Sequence, residues 1–305
     1  MKSKTIRPVT DALLQRAWKN RIPVPGFNIP YLPMLEPIVR ALRDSDAFGL
    51  IMVARLEWIK FEAQSLEAVA EEYQRVKDEH CTRLHLDHVP VIDEDNLRVD
   101  YLPVIRRAID AGYQSVMIDG SRLSLADNIA ATRQVVELAH AAGVAVEGEL
   151  GAVMGHEDGP VPSYDEIFAS GKGFTDPAEA QQFVRQTEVD WLSVAVGSIH
   201  GAISKTLKDK KKVEARLNIP HLQRISEVVN IPMVLHGGTG IGRQYILNAV
   251  QHGCVKINIG TALRQPFEQM RGTSVVKAQQ MVYDTALSLL RDELNIIGSA
   301  RIINP

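Results

Sequence analysis

The sequence predicts an α/β fold, specifically a TIM (β/α)8 barrel with an extra C-terminal helix. Short β-rich apolar runs alternate with amphipathic helical stretches, as parallel strands joined by crossover helices require. Eight such runs occur, at 22–29, 49–56, 82–89, 115–121, 144–151, 191–197, 233–238 and 254–261. Several of them end on ionisable side chains, which is how barrel strands deliver reactive groups to their C-terminal rim. The clearest is 82–90, T-R-L-H-L-D-H-V-P, where an apolar alternation runs into Asp87 and His88 and then meets Pro90.

The intervening segments read as helices near 35–46, 66–78, 102–111, 128–142, 178–186, 221–229, 244–251 and 262–271. Gly143 supplies a stop after the fourth of these. Asp176 before Pro177 opens the fifth as an N-cap followed by proline in the first turn. A further helix at 274–294 packs outside the barrel or against a partner subunit. No sequence repeat and no interdomain linker is evident, so one domain over 1–305 is expected, with a barrel core of about 20–272 and a helical extension at 273–305. Two connections, 152–173 and 198–220, exceed the ~12–15 residues beyond which a structureless loop usually has a function. Both follow strand C-termini, and the first carries Gly155, Gly159, Gly171 and Gly173, which suit opening and closing.

Composition is that of a soluble globular protein, 45% apolar and 23% charged. A net charge of −3 gives no reason to expect nucleic acid or an acidic membrane surface. Two cysteines, Cys81 and Cys254, are too few for a disulfide framework and fit a reducing compartment. The first residues lack the apolar core of a signal peptide, and no run approaches the ~18 apolar residues of a membrane span. A cytoplasmic location is expected.

Three of the nine histidines end or directly follow predicted strands: His88 in H-L-D-H, His200 in V-G-S-I-H-G and His236 in V-L-H-G-G. Converging on one rim, they suit a catalytic zinc with an open fourth position. Adjacent residues of a regular strand point to opposite faces, so Asp87 and His88 cannot both face inward there. Either the chain leaves strand geometry at Asp87, or the ligand is His85. His80, His140, His221 and His252 lie on or beside helices and read as structural.

Carboxylates form a second set. Asp119 ends the fourth run, and Glu147 and Glu149 share one face of the fifth. Charges in a strand covered by helices are costly unless paired or metal-bound. These are therefore partners of the histidines, an additional cation position, or surface ion pairs at frayed strand ends. Glu157, in the glycine-flanked G-H-E-D-G, is positioned to swing onto substrate as a general base, or is a solvated acid in a turn. The glycine-rich H-G-G-T-G at 236–240 and N-I-G-T at 258–261 each precede a helix, where barrels commonly hold phosphate. Lys205 adds a cation from the sixth loop, while 208–212 reads as a solvated surface.

In order along the chain, G-F-N-I (26–29), H-L-D-H (85–88), M-I-D-G-S (117–121), V-E-G-E-L-G (146–151), G-H-E-D-G (155–159), F-T-D-P-A-E-A (174–180), V-G-S-I-H-G (196–201), V-L-H-G-G-T-G (234–240) and K-I-N-I-G-T (256–261) resemble the class II, zinc-dependent ketose-bisphosphate aldolases. The resemblance implies that His88, His200 and His236 hold one Zn2+ per subunit, with other divalent metals as alternatives, and that the metal stabilises an enediolate. Asp119 and Glu149 would offer the metal a second position. Asp87 would act on the hydroxyl of the aldehyde-derived half, Glu157 would move the proton beside the carbonyl, and Asn258 would contact the reacting carbons. Asn28, Gly201, Lys205, Gly237, Gly238, Thr239, Gly260 and Thr261 would bind substrate and its ketone-side phosphate, beside a monovalent cation (Na+ or K+). The implied activity is reversible cleavage of a phosphorylated ketose into dihydroxyacetone phosphate and an aldehyde, in a homodimer or homotetramer.

The second run departs from the family pattern. Where the family has a serine and small residues, this chain has Arg55, Glu57 and Trp58, which would change the pocket's size and charge. The only late candidates for the arginine that meets the distal phosphate are Arg291 and Arg301. Alternatives are an aldolase of a phosphorylated keto-deoxy sugar acid, with Arg55 meeting its carboxylate, a TIM-barrel zinc hydrolase, and a non-catalytic sugar-phosphate-binding relative.

Overall fold

The computed structural model of the chain describes residues 8–151, 164–198 and 215–305. Its strands are β1 Val24–Asn28, β2 Gly49–Ala54, β3 Thr82–Pro90, β4 Ser115–Asp119, β5 Ala145–Leu150, β6 Trp191–Val194, β7 Met233–Leu235 and β8 Cys254–Ile259. They close in chain order with every neighbour parallel, and β1 pairs with β8 to complete the barrel. Parallel strands covered by helices are buried on both faces and so are dominated by apolar residues. That is why all six residues of β2, G-L-I-M-V-A, are buried.

The helices are α1 Val9–Asn20, α2 Leu35–Asp44, α3 Arg55–Lys60, α4 Leu66–Val76, α5 Tyr101–Asp110, α6 Leu125–Ala141, α7 Tyr164–Ser170, α8 Pro177–Thr187, α9 Ile219–Val229, α10 Arg243–Gln251, α11 Thr261–Arg271, α12 Val275–Ser288 and α13 Ala300–Ile303. Asp176 caps α8 as expected, its carboxylate accepting the N–H groups of Ala178 and Glu179. None of the described helices is long and apolar enough to cross a membrane.

The sequence reading did not anticipate α1, α3, α7 or α13. The α1 helix lies at the N-terminal end of the barrel, where buried Asp11 accepts the indole N–H of Trp191 at 3.1 Å. The run at 49–56 ends early as a strand, because Ala54 is followed by the turn of α3. The α3 start is capped by its own Glu57, which accepts the Ala54 N–H at 2.8 Å. The C-terminal helix packs on the outside of the barrel. Ala278, Val282, Ala286 and Leu290 recur every fourth residue as its buried stripe, and Tyr283 donates to Asp44 on α2.

Gly148 lets β5 approach α8 closely. A Cβ there would lie 2.9 Å from the Phe183 ring and 3.1 Å from Val189. We expect Gly148→Val to overpack this contact and cost about 1–3 kcal/mol, read as a lowered thermal midpoint. An unchanged midpoint would mean that the helix can withdraw freely from the strand.

Candidate active site

The C-terminal rim takes its shape from an irregularity in β3. Pairing with β4 slips between Leu86 and Val89, and His88 adopts φ 37°. Such a bulge re-aims side chains. Here it turns both Asp87 and His88 toward the same pocket, resolving the parity conflict of a regular strand. His85 is not at the rim. It is fully buried inside the barrel, with Nδ1 2.9 Å from Ser115 Oγ and Nε2 accepting from Lys256 Nζ at 3.2 Å. The Lys256 contact fixes the proton on Nδ1, which donates to the serine.

His88 from β3 and His236 from the end of β7 meet at the centre of the rim. His236 Nε2 donates to Glu147 Oε1 at 2.9 Å, so its Nδ1 carries a lone pair, aimed at His88 Nε2 2.7 Å away. Around them stand Asp119, 3.7 Å from His88 Nδ1, and Glu149, whose Oε2 is 3.8 Å from the same nitrogen. Glu149 Oε2 is buried and accepts no hydrogen bond among the described residues. Burial pushes the Glu149 carboxyl well above its ordinary value, helped by the charge of Asp119. Burial opposes charge on His88 too, but Asp87, Asp119 and Glu149 overcome it and raise the imidazole to about 10. The whole group therefore draws in positive charge. His88, His236 and Asp87 form one set of donors within metal-binding reach of one another, and His88, Asp119 and Glu149 form a second.

These donors suit a divalent metal. A ligating imidazole usually gives its other N–H to a carboxylate, as His236 does to Glu147. Among the described residues, Lys256 pairs with Asp87 and Glu147, while Asp119 and Glu149 face the His88 imidazole. A divalent cation there would take the place of the protons that burial and neighbouring charge otherwise hold on Glu149 and His88. His200, the third ligand expected from the sequence, lies outside the described residues, as do Glu157, Gly201 and Lys205.

Lys256 is the residue the sequence reading passed over. It sits on β8, fully buried, and donates to Glu147 Oε2 at 2.7 Å and to Asp87 Oδ1 at 3.4 Å. Burial would raise Glu147, but Lys256, His236 and His85 hold it down to about 2. The same contest leaves Asp87 well below its ordinary value, held there by Lys256 and three imidazoles. Its carboxylate is also oriented, because Asn28 donates to Oδ2 at 3.1 Å and Asn258 donates to Oδ1 at 3.0 Å. The signal for Lys256 was present in K-I-N-I-G-T as a lone cation in an otherwise apolar buried strand.

Gly237, Thr239, Gly260 and Thr261 line the other side of the pocket, beneath the N-terminus of α11. Gly238 does not line it. It packs against β8 instead, its N–H donating to the Asn258 carbonyl at 3.0 Å.

The outer wall comes from α3 and the turn after β3. Arg55 and Glu57 line the pocket, but Trp58 does not and packs against the core. Arg55 pairs with Asp93 at 3.2 Å, so its guanidinium is already engaged by the protein's own carboxylate. Arg291 pairs with its neighbour Asp292, and Arg301 pairs with Asp46 ahead of β2, at the opposite end of the barrel. Neither borders the pocket, whereas Arg264 does, bound to Glu268 at 2.8 Å.

Burial pushes the Glu57 carboxyl from 4.5 up to about 8, against the opposing Ala54 N–H, with Asp87 adding to the rise. A folded value above the unfolded one means that the bound proton stabilises the fold fully below about 4.5 and that this contribution is lost as pH rises through about 8. We therefore expect Glu57→Gln to gain stability relative to the wild type as pH rises from about 5 to about 8, measured by denaturant midpoints. A constant difference across that range would show that Glu57 is ionised in the fold.

Comparison with known proteins accords with this geometry. The YdjI aldolase of Escherichia coli K12 superposes with a TM-score of 0.75 at 23% identity, covering 97% of this chain and 100% of that one. A fructose-bisphosphate aldolase from Campylobacter jejuni superposes with a TM-score of 0.70 at 18% identity, covering 95% and 94% respectively. At these identities the superpositions establish a shared fold. The sequence itself matches the model of class-II fructose-bisphosphate aldolases over residues 9–295. With nearly the whole chain matched, this protein belongs to the class-II fructose-bisphosphate aldolase family.

Proposed function

We propose that the protein is a zinc-dependent lyase that reversibly cleaves a phosphorylated ketose into dihydroxyacetone phosphate and an aldehyde. The observation that carries this reading is the pairing of two facing imidazole nitrogens, His88 Nε2 and His236 Nδ1, with the ionised, doubly hydrogen-bonded Asp87 beside them. When bound there, a zinc ion would supply the Lewis acid that polarises the ketone carbonyl. His88 and His236 would hold it together with His200, and Asp119 and Glu149 offer donors for a second position.

The proton chemistry belongs to the chain itself. In the cleavage direction, Asp87 takes the proton from the hydroxyl on the aldehyde-side carbon. The carbon–carbon bond then breaks, its electron pair passing to the carbon next to the ketone while the hydroxyl oxygen becomes the aldehyde carbonyl. Glu157 returns a proton to that carbon, completing dihydroxyacetone phosphate. Asn28 and Asn258 keep the Asp87 carboxylate aimed through the step, and Lys256 keeps it ionised. Gly237, Thr239, Gly260 and Thr261, at the N-terminus of α11, present backbone N–H groups and hydroxyls suited to the ketone-side phosphate.

Dihydroxyacetone phosphate release from a panel of phosphorylated ketoses tests this directly. We expect release that a chelator abolishes and added zinc restores, and release from no member would refute the reading. Asp87→Asn should lower kcat by about 10²–10⁴-fold at unchanged metal content. Glu147→Gln should weaken metal affinity by about 10–100-fold, because its single amide oxygen cannot accept from both His236 and Lys256.

A further inference from the structure

We propose that the substrate carries a single phosphate, on its dihydroxyacetone side, and that the aldehyde released is unphosphorylated. This rests on the aldolase reading of the same site and concerns the far end of the pocket, a cavity of roughly 660 Å3. A second phosphate there would bring a dianion against the wall formed by α3 and the turn at 91–99. Among the described residues, that wall carries the cations Arg55 and Lys60 and the acids Asp93, Glu94 and Asp95, with Arg122 beside it from the turn after β4.

Arg55 and Lys60 are already ion-paired, and Arg122 is held by a backbone carbonyl. Arg55 binds Asp93 at 3.2 Å, Lys60 binds Glu94 at 3.0 Å, and Arg122 donates to the Asp93 carbonyl. An incoming phosphate could engage Arg55 or Lys60 only by leaving Asp93 or Glu94 beside it as an uncompensated like charge, an arrangement that selects against a partner. The α3 helix start on this side already has its Ala54 N–H occupied by Glu57. At the mouth, Ile59 and Leu97 present largely exposed apolar side chains. The ketone side is built differently, with glycine loops and the start of an eleven-residue helix. One end of the pocket is therefore lined by glycines, threonines and a helix start suited to an anion, while among the described residues the other pairs its cations with acids and is apolar-rimmed.

The experiment compares kcat/KM for ketose 1-phosphates with that for the matching bisphosphates, across the ketohexose stereoisomers and longer ketoses, in the zinc-loaded enzyme. The expected result is a preference for the monophosphate of roughly tenfold or more in each stereoisomer that reacts. Equal or better use of the bisphosphate would overturn the inference while leaving the aldolase reading intact. Release from none of them would remove that reading, and this inference with it.

A second arm uses the double variant Asp93→Asn, Glu94→Gln. The asparagine amide oxygen can still accept the Asp95 and Leu97 N–H groups that shape the turn, while Arg55 and Lys60 are freed. The preference should move toward the bisphosphate by roughly tenfold. An unchanged ratio would show that these carboxylates do not set the choice.

Discussion

The Lys256 ammonium, sealed inside the barrel between Glu147, Asp87 and His85, is the charge on which the rest of the site depends. It is one cation serving two carboxylates. Through Glu147 it fixes the tautomer of His236 and so leaves a lone pair pointing into the pocket. Through Asp87 it keeps a buried acid ionised where burial alone would neutralise it. A buried ion pair is a poor source of stability, since desolvation offsets most of the attraction. Its value here is orientation. Removing the ammonium would leave two buried acids facing each other, and the His236 imidazole and the Asp87 carboxylate, the proposed metal ligand and proton-transfer group, would lose their alignment together.

The second constraint is the bulge of β3. A regular strand could present Asp87 or His88 to the pocket, and the proposed reaction requires both. Slipping the register with β4 by way of a left-handed His88 solves this with local backbone strain, placed where function tolerates it. The acid and the imidazole then differ in role because their surroundings differ. Asp87 is enclosed by amide donors and cations, whereas His88 stands among carboxylates.

Much of this was legible in the sequence, for identifiable reasons. Strands of a closed parallel barrel are buried on both faces, so each of the eight appears as a short apolar run bounded by turn residues. His88, His236, Asp119 and Glu149 stood out because ionisable groups at the ends of such runs have few inexpensive explanations. Other features were hidden by their dependence on tertiary contacts. The bulge follows from pairing between β3 and β4, which no local pattern records. The run at 49–56 takes in the first two residues of α3, Arg55 and Leu56, because nothing local ends the apolar run at Ala54, and what turns the chain is a cap made by Glu57. Lys256 was quoted in a motif but given no role, because a strand lysine is normally a solvated one. The charge pairing of the outer wall could not be read either, since Arg55 and Asp93 are distant in sequence and only the folded turn after β3 brings them together.

The central claim is that the carboxylate-braced imidazoles of His88 and His236 form a metal centre. Anomalous diffraction from crystals of the zinc-loaded enzyme, recorded on both sides of the zinc edge, tests it most directly. The account predicts one strong peak per chain between His88 Nε2 and His236 Nδ1, with Glu147 still bound to His236 Nε2. A peak confined to Asp46, His80 and Cys81, the other set of metal-capable donors among the described residues, or no peak in any zinc-loaded crystal, would contradict it.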